Sequence, residues 1–325
     1  MTDSPSSAAP LRIGYERTSA NGVLLQPDVL AVIGFGRAMP IVDDPRALRV
    51  GLEPSQSGWL EVWRGDTPVE CGCDGDLRWS TDGSHLYFAI EVDETAHGGI
   101  VGATEHAYRR VNAFVASSAT PHVLRLWNYL DAINLGDGDA ERYRLFCEGR
   151  ARGMSAYGET HYPAASAIGR QDGVRTLQVY GLASRIAGVP IENPRQTSAW
   201  RYPRQYGRVA PTFARGMLTM PSQLLISGTA AVVGHASRHD NDLAAQVEET
   251  LANLESLLRE AGIGDAPLGI GSCLKIYLRN PSRAAIVTEA LRERFPELNP
   301  SLVLAGDICR AELLVEIDGV HHIAR

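Results

Sequence analysis

Glu316 sits inside the aliphatic run Leu313-Leu-Val-Glu-Ile-Asp-Gly-Val320. Read as a strand from Cys309 to Val320, the run puts Leu313, Val315 and Ile317 on one face, with Leu314, Glu316 and Asp318 on the other. A carboxyl desolvated by such neighbours has its charged form disfavoured. Its pKa rises, and it becomes a proton donor near neutral pH. On the residues alone, Glu316 also fits a water-facing sheet surface.

Two Arg–Tyr pairs stand beside it in the sequence. The stretch Glu141-Arg-Tyr-Arg-Leu-Phe-Cys-Glu-Gly-Arg150 reads as a helix on which Tyr143, Cys147 and Arg150 share one face. Phenol, thiol and guanidinium are poor core formers. Either they offer a donor and a fork to a carboxylate, or Arg150 serves only the helix dipole. The second pair is Tyr202, after Trp200-Arg201, and Arg215 in Pro211-Thr-Phe-Ala-Arg-Gly216. Two such pairs and one apolar-flanked acid suit a pocket for a small dicarboxylate with an acid-labile bond.

Other reactive residues carry less. Among 31 Lys and Arg residues only Lys275 is a lysine, alternating with Tyr277 and Arg279 on a strand. That face is either an ordinary polar surface or a cation lining an anion site. Cysteines 71, 73, 147, 273 and 309 are odd in number and lack a second close pair, so no disulfide framework is expected. Cys71 and Cys73 have no His or Cys partner at zinc spacing and read as inert thiols in a loop; no metal and no cofactor are expected.

Composition narrows the class. With 325 residues, 44% hydrophobic and 21% charged, the chain reads as a globular protein of two domains. A net charge of -7 speaks against a nucleic-acid surface. No apolar run reaches the ~18 residues of a membrane span. Met1-Thr-Asp-Ser-Pro-Ser-Ser lacks a secretory pattern and reads as a short disordered lead into a cytoplasmic enzyme.

The elements that must position these residues occur in a repeated order. In the second half Asp242 to Gly262 is an amphipathic helix, with Leu243, Val247, Leu251, Leu254, Leu257 and Leu258 at helical spacing. A strand (Cys273–Leu278), a helix (Pro281 to about Phe295), a strand (Ser301–Leu304) and the final strand follow. The first half repeats this with a helix from Thr104 to about Ala116, a strand His122–Leu130, a helix Asp139–Arg152 and strands near His161–Ile168 and Thr176–Leu182. Leu60–Trp63 with Leu86–Val92 would lead the first set, and Leu224–Val233 the second. The expected fold is α+β: two related units, each a mixed sheet with helices on one face. The expected boundaries are 1–186 and 222–325, with a loop region 187–221, rich in Pro, Arg and Tyr, joining them and lining the site.

Ser227-Gly-Thr-Ala, the helix from Gln246, the strand around Lys275 and Leu314-Val-Glu-Ile-Asp-Gly319 resemble the RidA/YjgF family over the last third of the chain. The deaminases of that family are single-domain trimers with an Arg near the start of the penultimate strand, where Ser301-Leu-Val-Leu has no cation. Together with Arg125-Leu-Trp-Asn128, Glu141–Arg150, Glu192-Asn-Pro-Arg-Gln196, Tyr202-Pro203, Phe213-Ala-Arg215 and Gly234-His235, those motifs resemble the chorismatase family over nearly the whole chain. The resemblance implies two RidA-like units acting on chorismate without metal or organic cofactor. It places Tyr143, Arg150, Tyr202 and Arg215 at substrate-binding positions and Glu316 at the catalytic acid. Protonating the enolpyruvyl methylene would give an oxocarbenium ion, and pyruvate would then leave.

Family members differ in product. Those that form 3-hydroxybenzoate, or a mixture with 4-hydroxybenzoate, resemble this chain in carrying a Cys seven residues before the Glu, here Cys309. Hydrolytic members tend to carry Ala there; Ala230–Ala231 lie near a second discriminating position. On one strand Cys309 and Glu316 begin on opposite faces, so a bulge or bend is expected between them. The expectation is a hydroxybenzoate-forming chorismatase. Chorismate hydrolysis, a RidA-like imine deaminase and a non-catalytic ligand-binding domain stand as alternatives. A chain that fuses two units covers its own sheet edge, so a monomer is expected.

Overall fold

The computed structural model describes residues 11–154, 161–219, 223–263 and 267–323. The expected lead at residues 1–7 lies outside them. In chain order the first elements are β1 (Arg12–Glu16), α1 (Ala20–Leu24), β2 (Val29–Phe35), β3 (Ala47–Val50) and β4 (Leu60–Arg64). Next come β5 (Glu70–Asp74), β6 (Leu77–Thr81), β7 (His85–Asp93), α2 (Ile100–Ser117), β8 (His122–Asp131), α3 (Arg142–Gly153), β9 (Ala164–Arg170) and β10 (Thr176–Ser184). The chain continues through β11 (Val189–Ile191), β12 (Gly216–Thr219), β13 (Gln223–Thr229), β14 (Val232–Val233), β15 (Ala236–Ser237) and α4 (Leu243–Glu260). It ends with β16 (Ser272–Leu278), α5 (Ala284–Arg294), β17 (Leu302–Ala305), β18 (Asp307–Ile308) and β19 (Val315–His322).

Two sheets repeat one topology. The first runs β9-β8-β10-β7-β6-β5 and the second β17-β16-β19-β13-β12-β11. In each, one parallel pair (β8 with β9, β16 with β17) is bridged by a helix, and the neighbouring pairs are antiparallel. A parallel pair needs such a crossover, which is why α3 and α5 fall where they do. Helices cover one face of each sheet: α2 and α3 pack on the first around Phe88, Val111 and Leu126, and α4 and α5 on the second around Leu251, Leu254 and Ile276. Asp242 caps α4 by accepting the Ala245 N–H, and Gly262, at φ 73°, closes it in the left-handed conformation.

Four expectations change here. Leu60–Trp63 does not lead the first sheet; as β4 it is the second strand of a separate sheet, β1-β4-β2-β3. The segment 187–221 is more than a connector, because β11 and β12 extend the second sheet. Cys71 and Cys73 lie on the edge strand β5, both exposed, not in a loop. The helix foreseen from Asp139 begins at Arg142, because Gly136 and Gly138 are left-handed and Glu141 is extended.

The helix-free faces of both sheets and the small N-terminal sheet enclose one aromatic core containing Trp63, Tyr87, Trp127, Tyr129, Tyr180 and Tyr277. Trp127 stacks on Tyr180 with centroids 4.8 Å apart. The short strand β18, although late in the chain, pairs with β9 of the first sheet and stitches the halves together. Among the described residues no helix is long and apolar enough to cross a membrane.

Candidate active site

The final strand begins later than the sequence suggests. Residues 309–312 form a bend and a turn, 313–314 are irregular, and β19 opens only at Val315. Arg279 causes this: its guanidinium donates to the carbonyls of Leu313 (2.9 Å), Ile308 (3.2 Å) and Arg310 (3.1 Å) while pairing with Asp307. The Leu314 N–H is taken by Gln246 Oε1 at 2.8 Å. Backbone groups claimed by side chains cannot join a ladder. Cys309 therefore sits on a turn just after β18, and no bulge within β19 is needed to bring it to the Glu316 cavity.

That cavity, about 560 Å³, opens at the junction of the halves. All six residues singled out from the sequence line it: Tyr143, Arg150, Tyr202, Arg215, Cys309 and Glu316. Glu316 pairs with Tyr277 in the β16–β19 register and is only 4% exposed. Burial and, next, the charge of Asp318 push its carboxyl up to about 8, against the opposing pull of Arg125 and Arg215.

Space for this carboxyl is made by a bulge on the neighbouring strand. Ile226 pairs with Gly319 and Thr229 with Ile317, so β13 advances three residues while β19 advances two. Gly228 falls at that irregularity. A side chain there would overlap the Glu316 carboxyl oxygen and stand 2.7 Å from its Cδ, so only hydrogen fits. The adjacent Ser227 Oγ accepts the Ala165 N–H at 2.9 Å and donates to the Ala214 carbonyl at 2.5 Å, pinning the bulge to the first sheet.

The cations arrive from both halves. Arg150, on the last turn of α3, is 3% exposed, donates Nε to Met154 Sδ at 3.3 Å and lies 5.2 Å above the Tyr108 ring. Its Nη2 has no hydrogen-bond partner among the described residues. Helix α3 can sit this deep because Gly149 and Gly153 face α2, where a side chain would meet Thr104 or Tyr108. Arg215 donates to the Tyr202 hydroxyl (2.6 Å) and the Thr197 carbonyl (3.0 Å), and its Nε is unpaired among the described residues. Neither guanidinium has an ion-pair partner among the described residues, so both retain charge for an anion. Tyr143 is on the same wall; burial, followed by Cys147 and Cys309, raises its phenol well above its ordinary value. Burial and the neighbouring Glu316 likewise hold the Cys309 thiol neutral.

Lys275 is not in this cavity. It is 2% exposed and bonds Glu61 Oε2 (2.7 Å) and the Tyr180 hydroxyl (3.1 Å), so it is neither a surface residue nor an anion-site cation. Sequence reasoning missed Arg310, whose guanidinium lies 4.0 Å from the Tyr206 centroid at the cavity wall and donates to the His235 carbonyl. Its place beside Cys309 was the available signal. Ser166, in the alanine-rich β9, gave none. Among the described residues no group of His, Cys, Asp and Glu side chains could hold a metal ion.

Comparison with known proteins points the same way. A family model described as chorismatase FkbO/Hyg5-like, N-terminal, matches residues 61–183. A protein of Streptomyces hygroscopicus named 3-hydroxybenzoate synthase is 34% identical over 287 residues, covering 83% of each chain. A protein of Streptomyces rapamycinicus named chorismatase is 33% identical, covering 81% of this chain and 82% of its own. A solved chorismatase crystal structure superposes with a TM-score of 0.85 at 30% identity, covering 98% of this chain and all of the other.

Proposed function

Since the chain belongs to the chorismatase family, we propose that it cleaves the enolpyruvyl ether of chorismate to pyruvate and 3-hydroxybenzoate, with Glu316 as the proton donor. Chorismate is a dianion. Arg150 with Tyr143, and Arg215 with Tyr202, supply two cation–phenol pairs, one for each carboxylate. Glu316 delivers its proton to the enolpyruvyl methylene carbon, and the resulting oxocarbenium ion is stabilised by the carboxylate left behind. The ring carbon–oxygen bond of the ether breaks, and pyruvate departs with that oxygen as its ketone. The neighbouring ring hydroxyl oxygen closes onto the vacated carbon, its proton returning to Glu316. Reopening at the other carbon, with transfer of a ring proton, leaves the oxygen on the aromatic product. The overall change divides chorismate into two products with no net water, whereas hydrolysis would add one water and keep the ring diol.

The observation that carries this reading is a buried carboxyl, pushed up to about 8, facing a cavity that holds two arginines whose guanidinium groups form no ion pair among the described residues. Cys309 favours the aromatising outcome: its neutral thiol lines the cavity beside Glu316, at the position where hydrolytic members of the family tend to carry Ala. The expectation of a cytoplasmic monomer carries over to this reading, and light scattering should return a mass near 35.2 kDa.

The test is incubation with chorismate, following pyruvate enzymatically and the ring product by chromatography. Glu316→Gln should release pyruvate about 10²–10⁴-fold more slowly. Full turnover by that variant would remove Glu316 from the mechanism, and absence of pyruvate from the native enzyme would remove the reaction.

A further inference from the structure

Two residues beyond Glu316 on β19, on the same face, lies a second acid the chemistry above does not use. Asp318 has no solvent exposure. Its Oδ2 accepts from Ser166 Oγ (2.6 Å), the Tyr277 hydroxyl (3.0 Å) and Trp127 Nε1 (3.1 Å), and Arg125 Nη2 stands 3.1 Å away. Lys275 Nζ is 3.9 Å from Oδ1, on the far side of the cluster. Every one of these groups favours a negative oxygen. Glu316 has no such set: among the described residues no donor bonds its carboxyl, and its near contact is Gly228, which has no side chain to offer.

Two carboxylic acids this close cannot both ionise cheaply, and the one with more donors keeps the charge. Resting on the reading of Glu316 as the proton donor, we infer that Asp318 is a positioning residue for the reaction. Clamped as a carboxylate by Arg125, Tyr277, Trp127 and Ser166, it holds the transferable proton on Glu316 and on no other group. The charged and titratable groups acting on Glu316 are Asp318 from its own strand, Arg125 from β8, Arg215 from the segment before β12 and Cys309 from the turn. The two arginines oppose Asp318, and Cys309 is neutral, so Asp318 is the charge among them that favours the acid form. Ser166 lines the cavity and reaches Asp318, touching the two environments at once.

The experiment compares pH profiles of kcat/KM for the native enzyme, Asp318→Asn and Glu316→Gln. Asp318→Asn removes the anion and leaves the pull of Arg125 and Arg215 on Glu316 unopposed, so the alkaline limb should move down by about one pH unit or more. Turnover at acid pH and KM should change far less. An unmoved limb in a folded Asp318→Asn enzyme, with Glu316→Gln inactive, overturns the role of Asp318 and leaves that of Glu316 standing. An active Glu316→Gln enzyme instead overturns the underlying reading. Should Asp318→Asn fail to fold, infrared titration of the native enzyme decides. A protonated-carboxyl band that titrates near 8 and disappears in Glu316→Gln supports the assignment. A band that survives in that variant puts the proton on Asp318 and ends it.

Discussion

A carboxyl that holds its proton to about pH 8 taxes the folded state. In the unfolded chain Glu316 ionises near the ordinary glutamate value, and below that pH both states are protonated and nothing is lost. As pH rises toward 8 the unfolded form releases its proton while the folded form keeps it, and stability falls. The loss is complete above the folded value, on the order of 5 kcal/mol for a group this buried. Glu316→Gln should therefore gain stability over the native protein between pH 5 and 9. Denaturant unfolding at both pH values checks this, and a constant gap would contradict it. Cys309→Ala tests the neighbouring position. It should divert product from 3-hydroxybenzoate toward the dihydrodiol, seen by chromatography, with pyruvate release within about tenfold of native; an unchanged ratio would clear Cys309 of that role. The residue types were enough to suggest this chemistry, because acid, guanidinium and phenol announce themselves. The path that brings Cys309 to them was not legible: the turn that frees it is held by Arg279 and Gln246, thirty and more residues upstream in sequence but bonded directly to its backbone.

Strands and helices set how much of that chemistry can happen. The bulge on β13 makes Gly228 a floor for the Glu316 carboxyl, so Gly228→Ala should preserve the fold and displace Glu316. A displacement near 1 Å would cost about 10²-fold in kcat/KM, measured as pyruvate release alongside an unchanged circular dichroism spectrum. Native activity in this variant would show that the carboxyl tolerates a second position. The amphipathic helices were legible because α4 carries its period in the local sequence, and Asp242 and Gly262 mark its ends. The β5 hairpin was not, since Glu-Cys-Gly-Cys-Asp has no alternating pattern and becomes a strand only through its pairing with β6. The N-terminal sheet escaped for a related reason: β4 looks like any short apolar strand, and only its partners β1 and β2 reveal where it belongs.

Taken whole, the molecule encloses its aromatic core with three sheets, the smallest of them the N-terminal one. That third sheet is tied to the others through polar contacts: Ser80 Oγ of β6 donates to the Leu30 carbonyl, Cys273 Sγ meets the Ile13 carbonyl, and Glu61 of β4 meets Lys275 of β16. Removing one partner of a pair this deep leaves an uncompensated charge, a loss of about 3–5 kcal/mol. Because Lys275 is the sole lysine of the chain, the burial that serves this pair has an analytical consequence. A water-borne acylating ester finds no side-chain amine on the folded surface, and the Lys275 peptide should emerge from mass spectrometry unmodified. Partial urea that opens the seam between the sheets should expose it, so the extent of acylation becomes a site-specific clock for how often the three layers part.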